Sequence, residues 1–219
     1  MSVNGLHDFF AVLAIAALAG ALVLVIAKVV SFAAPNAPTF TFLGLAHKVQ
    51  LPLAALVAVV ATGGSLYFSE SGNLWAPCRF CWFQRIFMYS LAVVLVVAAV
   101  RRDRSIRWYA GALALIGMLI SIWHMLLEHA VVTESSECLL TVPCATPYYV
   151  SFGNLRNPTT YGPRDWYGIT LAVMAFSAFA FILAVLFLPE PLDDALDAVD
   201  SPDTSLDQLE DHDGQPAAG

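Results

Sequence analysis

The chain has 219 residues, 59% of them hydrophobic and only 12% charged, with a formal net charge of −7. An ordinary soluble domain carries roughly 25% charged residues, so this composition excludes one and points to a chain that lives in lipid. The apolar stretches are runs of Ala, Val and Leu that do not alternate with polar residues, which excludes a transmembrane β-barrel.

Five runs approach the ~20 residues needed to cross a bilayer as a helix: residues 9–30, 49–68, 82–100, 108–131 and 166–188. The expected fold is all-α, a polytopic membrane helical bundle with five transmembrane helices. Residues 1–10 contain no Lys or Arg, and the run that follows is longer than the apolar core of a secretory signal, so it is expected to remain as a membrane helix. Arg101, Arg102, Arg104 and Arg107 crowd the short connection between the third and fourth runs. Basic residues favour the cytoplasmic side, so this connection is expected inside. Alternation then places residues 69–81, residues 132–165 and the N-terminus outside. The cluster reads as a topology anchor, not as a nucleic-acid patch. Ten of the 17 acidic residues fall in 189–219, which has no Lys or Arg; that composition reads as a disordered cytoplasmic tail. Three units are thus expected: 1–48, an N-terminal transmembrane helix and cytoplasmic connection; 49–188, a four-helix membrane domain with two external cysteine loops; and 189–219, the acidic tail.

All 4 cysteines fall in the two external segments. Pro77-Cys78-Arg79-Phe80-Cys81-Trp82-Phe83-Gln84-Arg85 leads into the third run. Two thiols separated by two residues lie within bridging distance on the first turn of a helix, and Pro77 suits the start of that turn. The free N–H groups and positive dipole end of the helix favour a thiolate there. Arg85, four residues after Cys81, shares its face one turn deeper, where a cation stabilises negative charge developing beside the sulfur. Cys138 and Cys144 stand in a segment that also holds Pro143, Pro147, Pro158 and Pro163.

Three readings of the four thiols compete. A single zinc site would use all four as ligands, but the five-residue gap in the second pair is loose for it. Two inert bridges would gain little, because C-x-x-C closes a tiny loop. Two exchanging redox pairs suit a loop that meets a soluble partner and delivers to a fixed site. No metal is expected. On the fourth run, His124 and Glu128 are four residues apart and share a face, with His129 rotated away. They lie about one bilayer core (~30 Å) from Trp108, level with Cys81. Ionisable groups at that depth are functional candidates, against the plainer reading of an interfacial pair that ends the helix. Trp75, Trp82, Trp108 and Trp166 stand near run ends, as an interfacial belt requires.

Cys78-Arg79-Phe80-Cys81-Trp82-Phe83-Gln84-Arg85-Ile86-Phe87-Met88-Tyr89 closely resembles the DsbB family of membrane thiol oxidases, most of all its BdbC branch. The resemblance implies a DsbB-like four-helix core. It also implies a protein-dithiol:quinone oxidoreductase that reoxidises an extracytoplasmic, thioredoxin-fold (DsbA-like) carrier. The electrons would pass to a membrane quinone, ubiquinone or menaquinone, in support of disulfide bond formation in exported proteins. By the same resemblance Cys78 and Cys81 are the quinone-proximal pair, with Cys81 the thiolate beside the quinone and Arg85 the cation beside its ring. Cys138 and Cys144 are the partner-facing pair, Cys138 forming the mixed disulfide. Glu128-His129 resembles a Glu-His pair at the equivalent helix end, which implies a proton or quinone role for His124, Glu128 and His129; Trp82 would flank the ring. The spacing of Cys138 and Cys144 is shorter than in the best-known members, and the run 9–30 has no counterpart in a four-helix member. The implied place is a prokaryotic cell membrane, with the carrier, the quinone pool and the bilayer as partners and no nucleic acid. Two rivals stand. One is a vitamin K epoxide reductase-like enzyme, whose loop pair precedes its C-x-x-C, the reverse of the order here. The other is a non-catalytic membrane protein with a zinc-bound or disulfide-stapled external loop.

Overall fold

The computed structural model describes residues 3–33, 37–71, 76–133, 142–151 and 168–188. Cys138, Trp75, Trp166 and the acidic tail lie outside them. Among the described residues six α-helices follow in order: α1 (Val3–Ala33), α2 (Ala37–Lys48), α3 (Gln50–Leu66), α4 (Arg79–Arg101), α5 (Arg107–Glu128) and α6 (Leu171–Leu186). A π-turn, Tyr67–Ser71, continues α3. Two short strands, β1 (Tyr149–Ser151) and β2 (Ile169–Thr170), pair antiparallel just ahead of α6. Gly5–Ser31, Gln50–Glu70, Arg79–Arg101 and Arg104–Glu128 are long and apolar enough to cross a membrane.

Several boundaries differ from expectation, α1 already beginning at Val3 and α4 at Arg79. The connection 31–48 contains α2, which buries Leu43 and His47. The fourth span stops at Glu128 instead of 131, because Ala130 takes a left-handed conformation (φ 49°) and the N–H groups of Val131 and Val132 turn back to the Leu126 carbonyl. The fifth starts at Leu171 and has only 16 residues. Thr170 caps it by accepting from the Val173 N–H at 3.3 Å, after the chain has paired with β1.

Helix α3 packs on α4, α4 on α5, α5 on α6 and α6 back on α3, while α1 lies against the outside of α6. Lipid gives apolar helices no hydrophobic reason to associate, so close backbone approach has to do it. The buried stripe of α5 is accordingly small: Ala110, Gly111, Ala114, Gly117 and Ser121. A Cβ on Gly117 would run into the Phe179 ring of α6. At the other end Lys28 of α1 donates to the Phe187 carbonyl at 2.9 Å, a cation on the carbonyl end of α6. The turn between α4 and α5 is compact. Arg102 is left-handed (φ 55°), the Asp103 N–H reaches the Ala98 carbonyl at 3.0 Å, and the Asp103 carboxylate accepts from Ser105 N–H and hydroxyl at 2.9 and 2.7 Å. This turn gathers the four arginines at the end of the bundle opposite Cys78, Cys81 and Cys144.

Candidate active site

The site is built on the first turn of α4. Cys78 is its N-cap: extended in backbone (φ −70°, ψ 173°), its sulfur accepts from the Cys81 N–H at 3.3 Å. Pro77 therefore stands one residue before the cap and not within the first turn, since the thiol side chain already takes an orphan donor of the helix. The Cys78 and Cys81 sulfurs are 2.8 Å apart and both buried. Cys144, 1% exposed, packs on Cys78 from the segment that follows α5, and the backbone N–H groups of Arg79 and Phe80 face its sulfur. Three sulfurs thus share one helix N-terminus, where the dipole favours negative charge. Burial pushes the Cys144 thiol up to about 12. The Cys78 thiol is also raised, first by its hydrogen bond to Cys81 and then by burial.

His124 stands behind the pair. Its Nε2 is 3.6 Å from the Cys78 sulfur and its Nδ1 is 3.3 Å from the Gln84 amide nitrogen. With that amide donating to Nδ1, the ring proton sits on Nε2 and faces the sulfur. Phe80 stacks on the imidazole, centroids 5.9 Å apart. Glu128 Oε1 is 3.9 Å from His124 Nε2, and its Oε2 accepts from the Thr170 hydroxyl at 2.8 Å. His124 and Glu128 are both buried. His129 is the half-buried C-cap of α5.

On the other side of the pair lies a cavity of about 610 Å³ between α1, α3, α4 and α6, with Cys81, Gln84 and Arg85 in its wall. The Arg85 guanidinium is bracketed by Ser65: Nε donates to the hydroxyl and Nη2 to the carbonyl, both at 3.0 Å. The π-turn begins two residues later, and such single π-turns are frequent at functional sites. Trp82 lies 5.4 Å from the guanidinium on the outside and is 54% exposed. Of the residues expected around a ring, Cys81 and Arg85 line the cavity; Trp82, His124, Glu128 and His129 are not among its lining residues. Ser65, Gln84 and Thr170 were not singled out by the sequence. Gln84 lies inside the quoted motif, whereas nothing local marks Ser65 or Thr170. The sulfurs of Cys78 and Cys81 and one His124 nitrogen lie within 4.8 Å of one another, a donor set that suits a soft divalent ion such as zinc.

The family described as "Disulfide bond formation protein DsbB" matches residues 47–189, which take in the whole bundle from α3 to α6 and all the cysteines. The chain belongs to the DsbB family. It is 39% identical over 142 residues to a probable disulfide formation protein of Deinococcus radiodurans, covering 64% of this chain and 88% of that one. It is 33% identical over 139 residues to a probable disulfide formation protein C of Halalkalibacterium halodurans (62% and 90% covered). Against the disulfide bond formation protein C of Bacillus subtilis it is 37% identical over 136 residues (61% and 85% covered). No solved structure matches the chain significantly. As a DsbB-family protein with four membrane-length helices, the chain is a multi-pass oxidoreductase of disulfide bond formation.

Proposed function

We propose that this protein reoxidises an extracytoplasmic DsbA-like carrier and delivers the electrons to a membrane quinone. The observation that carries the reading is the order of the sulfurs: Cys144 touches Cys78, Cys78 touches Cys81, and Cys81 borders an apolar cavity that also holds Arg85.

A reduced carrier thiolate attacks the Cys138–Cys144 disulfide at Cys138, forming a mixed disulfide and releasing Cys144. The Arg79 and Phe80 N–H groups stabilise the released thiolate beside Cys78. Cys144 attacks Cys78, the Cys78–Cys81 bond breaks, and Cys81 leaves as thiolate at the cavity. The second carrier thiol then resolves the mixed disulfide, and the freed Cys138 attacks Cys144, restoring the loop disulfide and leaving Cys78 and Cys81 reduced. Two electrons and two protons have moved from the carrier dithiol to that pair. The cavity fits a quinone in size, in apolar lining and in its Cys81 and Arg85 edge. A quinone bound there supplies the acceptor for two electrons and two protons. His124 holds a proton at Nε2 against Cys78, Gln84 fixes the tautomer, and Glu128, held by Thr170, places a carboxyl near the same Nε2. Arg85, braced on Ser65, keeps positive charge at the cavity edge.

The test mixes oxidised protein anaerobically with a carrier retaining only its attacking cysteine. A reductant-sensitive adduct mapping to Cys138 is expected, and with the dithiol carrier and added quinone, loss of quinone absorbance in step with carrier oxidation. An adduct on Cys144 would reverse the two loop roles, and carrier oxidation that leaves quinone untouched would overturn the reading. The Cys78, Cys81 and His124 donor set favours one rival, a structural zinc; stoichiometric zinc that persists in the active, oxidised protein would support it.

A further inference from the structure

Helix α1 lies wholly outside the family match, which begins at residue 47. Yet it forms a wall of the cavity through Phe10, Leu13, Ala14 and Ala17, which fall on one helical face. On α4 the cavity extends from Cys81 to Tyr89, about 12 Å at 1.5 Å per residue, away from the sulfurs and toward the bilayer interior. Ser65, Ser69, Gln84, Arg85 and Tyr148 give polar groups at its outer end, and Tyr89 and Ser177 two more deeper down, where α1 and α3 offer Ala17, Leu56 and Val60.

The cavity is open on one side. Leu13, Leu56 and Val60 line it and are still 37%, 59% and 36% exposed, so it opens sideways between α1 and α3 at a depth where the surroundings are lipid. Above this opening the two helices meet. Phe10 lies on Gly64, where a Cβ would come within 2.8 Å of the ring, and His7 packs edge-on to Phe68 at 5.1 Å. Below it, α1 is fastened to α6 instead, by Gly20 under Phe181 and by Lys28 on the Phe187 carbonyl. Joined at the outer end and held apart below, α1 and α3 frame a lateral cleft whose α1 side is kept shallow by Ala14 and Ala17.

We infer that this cleft seats the polyprenyl tail of the quinone, with α1 as the post that sets tail recognition while Cys81 and Arg85 deal with the ring. The inference rests on the quinone reading above and adds a role for the helix that the family match leaves out. Ala17→Phe would fill the cleft from α1; Val12→Phe, on a lipid-facing position 55% exposed and absent from the cavity wall, serves as the control. Full-length protein in nanodiscs is titrated with a long-tailed polyprenyl quinone and with a tail-less quinone, following ligand-induced thermal stabilisation. Overfilling a fitted cleft removes packing contacts that lipid does not restore, and is worth roughly tenfold in Kd. The expected result is therefore an Ala17→Phe loss of about tenfold or more for the long-tailed ligand only, with Val12→Phe like wild type. A polyprenyl quinone carrying a photoreactive group on its tail should label wild-type protein within residues 9–17 or 56–64. Equal losses for both ligands, no loss for either, or labelling confined to α4 and α5 would overturn the inference while leaving a quinone site in place. Failure of wild-type protein to bind either ligand would remove the quinone reading itself.

Discussion

Arg85 is the side chain on which the electrostatics of the site depend most directly. Its position one turn below Cys81 places it at the cavity wall, and Ser65 fixes it with two hydrogen bonds, one to a hydroxyl and one to a main-chain carbonyl. A guanidinium can do this because its donors lie in a plane; an ammonium keeps the charge but not the two-pronged hold. We expect quinone reduction to fall in the order wild type, Arg85→Lys, Arg85→Gln, with thiol exchange between the cysteine pairs largely unchanged. A preorganised charge of this kind contributes ~2–4 kcal/mol, or a slowing of roughly 30- to 1000-fold in the Gln variant. Stopped-flow quinone absorbance beside a quenched assay of the thiol states separates the two steps. A Gln variant that inserts normally and reduces quinone at the wild-type rate would make Arg85 a mere anchor at the headgroups.

Among the elements, the α5–α6 contact holds Thr170 against Glu128 and so fixes the carboxyl beside His124. Its closeness depends on Gly117, over which the Phe179 ring lies. Gly117→Val forces that ring and helix apart, and overpacking of this kind costs about 1–3 kcal/mol. Gly63→Ala meets nothing within 4 Å and should leave stability unchanged or slightly raised. Thermal unfolding in detergent checks both, and a Gly117→Val midpoint equal to wild type would show the contact to be slack. The long helices themselves are legible in the sequence because length and lack of charge are local properties. Their ends at Glu128 and Leu171 are less so, being set by turns and by the pairing of β1 with β2. The site divides the same way. Cys78, Cys81 and Arg85 come together because they lie within two turns of one helix. The Ser65–Arg85 and Gln84–His124 contacts bridge 20 and 40 residues of chain, and only packing creates them.

For the whole molecule, the distribution of charge and sulfur along the bundle axis fixes how it should sit in the membrane. Helix α4 is capped by Cys78 and ends at Arg101, α5 leaves from Arg107 and returns His124 and Glu128 to the cysteine end, and Cys144 joins them there. The two ends of one rigid helix pair therefore carry opposite assignments, thiols at one and Arg101, Arg102, Arg104 and Arg107 at the other. Since clustered arginine near a span end is retained in the cytoplasm, the sulfurs are expected on the extracytoplasmic side, where disulfides persist. Single cysteines placed in a cysteine-free background test the topology alone: Thr133→Cys at the sulfur end and Ser105→Cys in the arginine turn, both at exposed positions. A membrane-impermeant thiol reagent added to intact cells should label Thr133→Cys and spare Ser105→Cys until the cells are opened. The reverse pattern would place the cysteines in the reducing cytoplasm, where a reoxidised loop disulfide would not survive and the proposed carrier could not reach it.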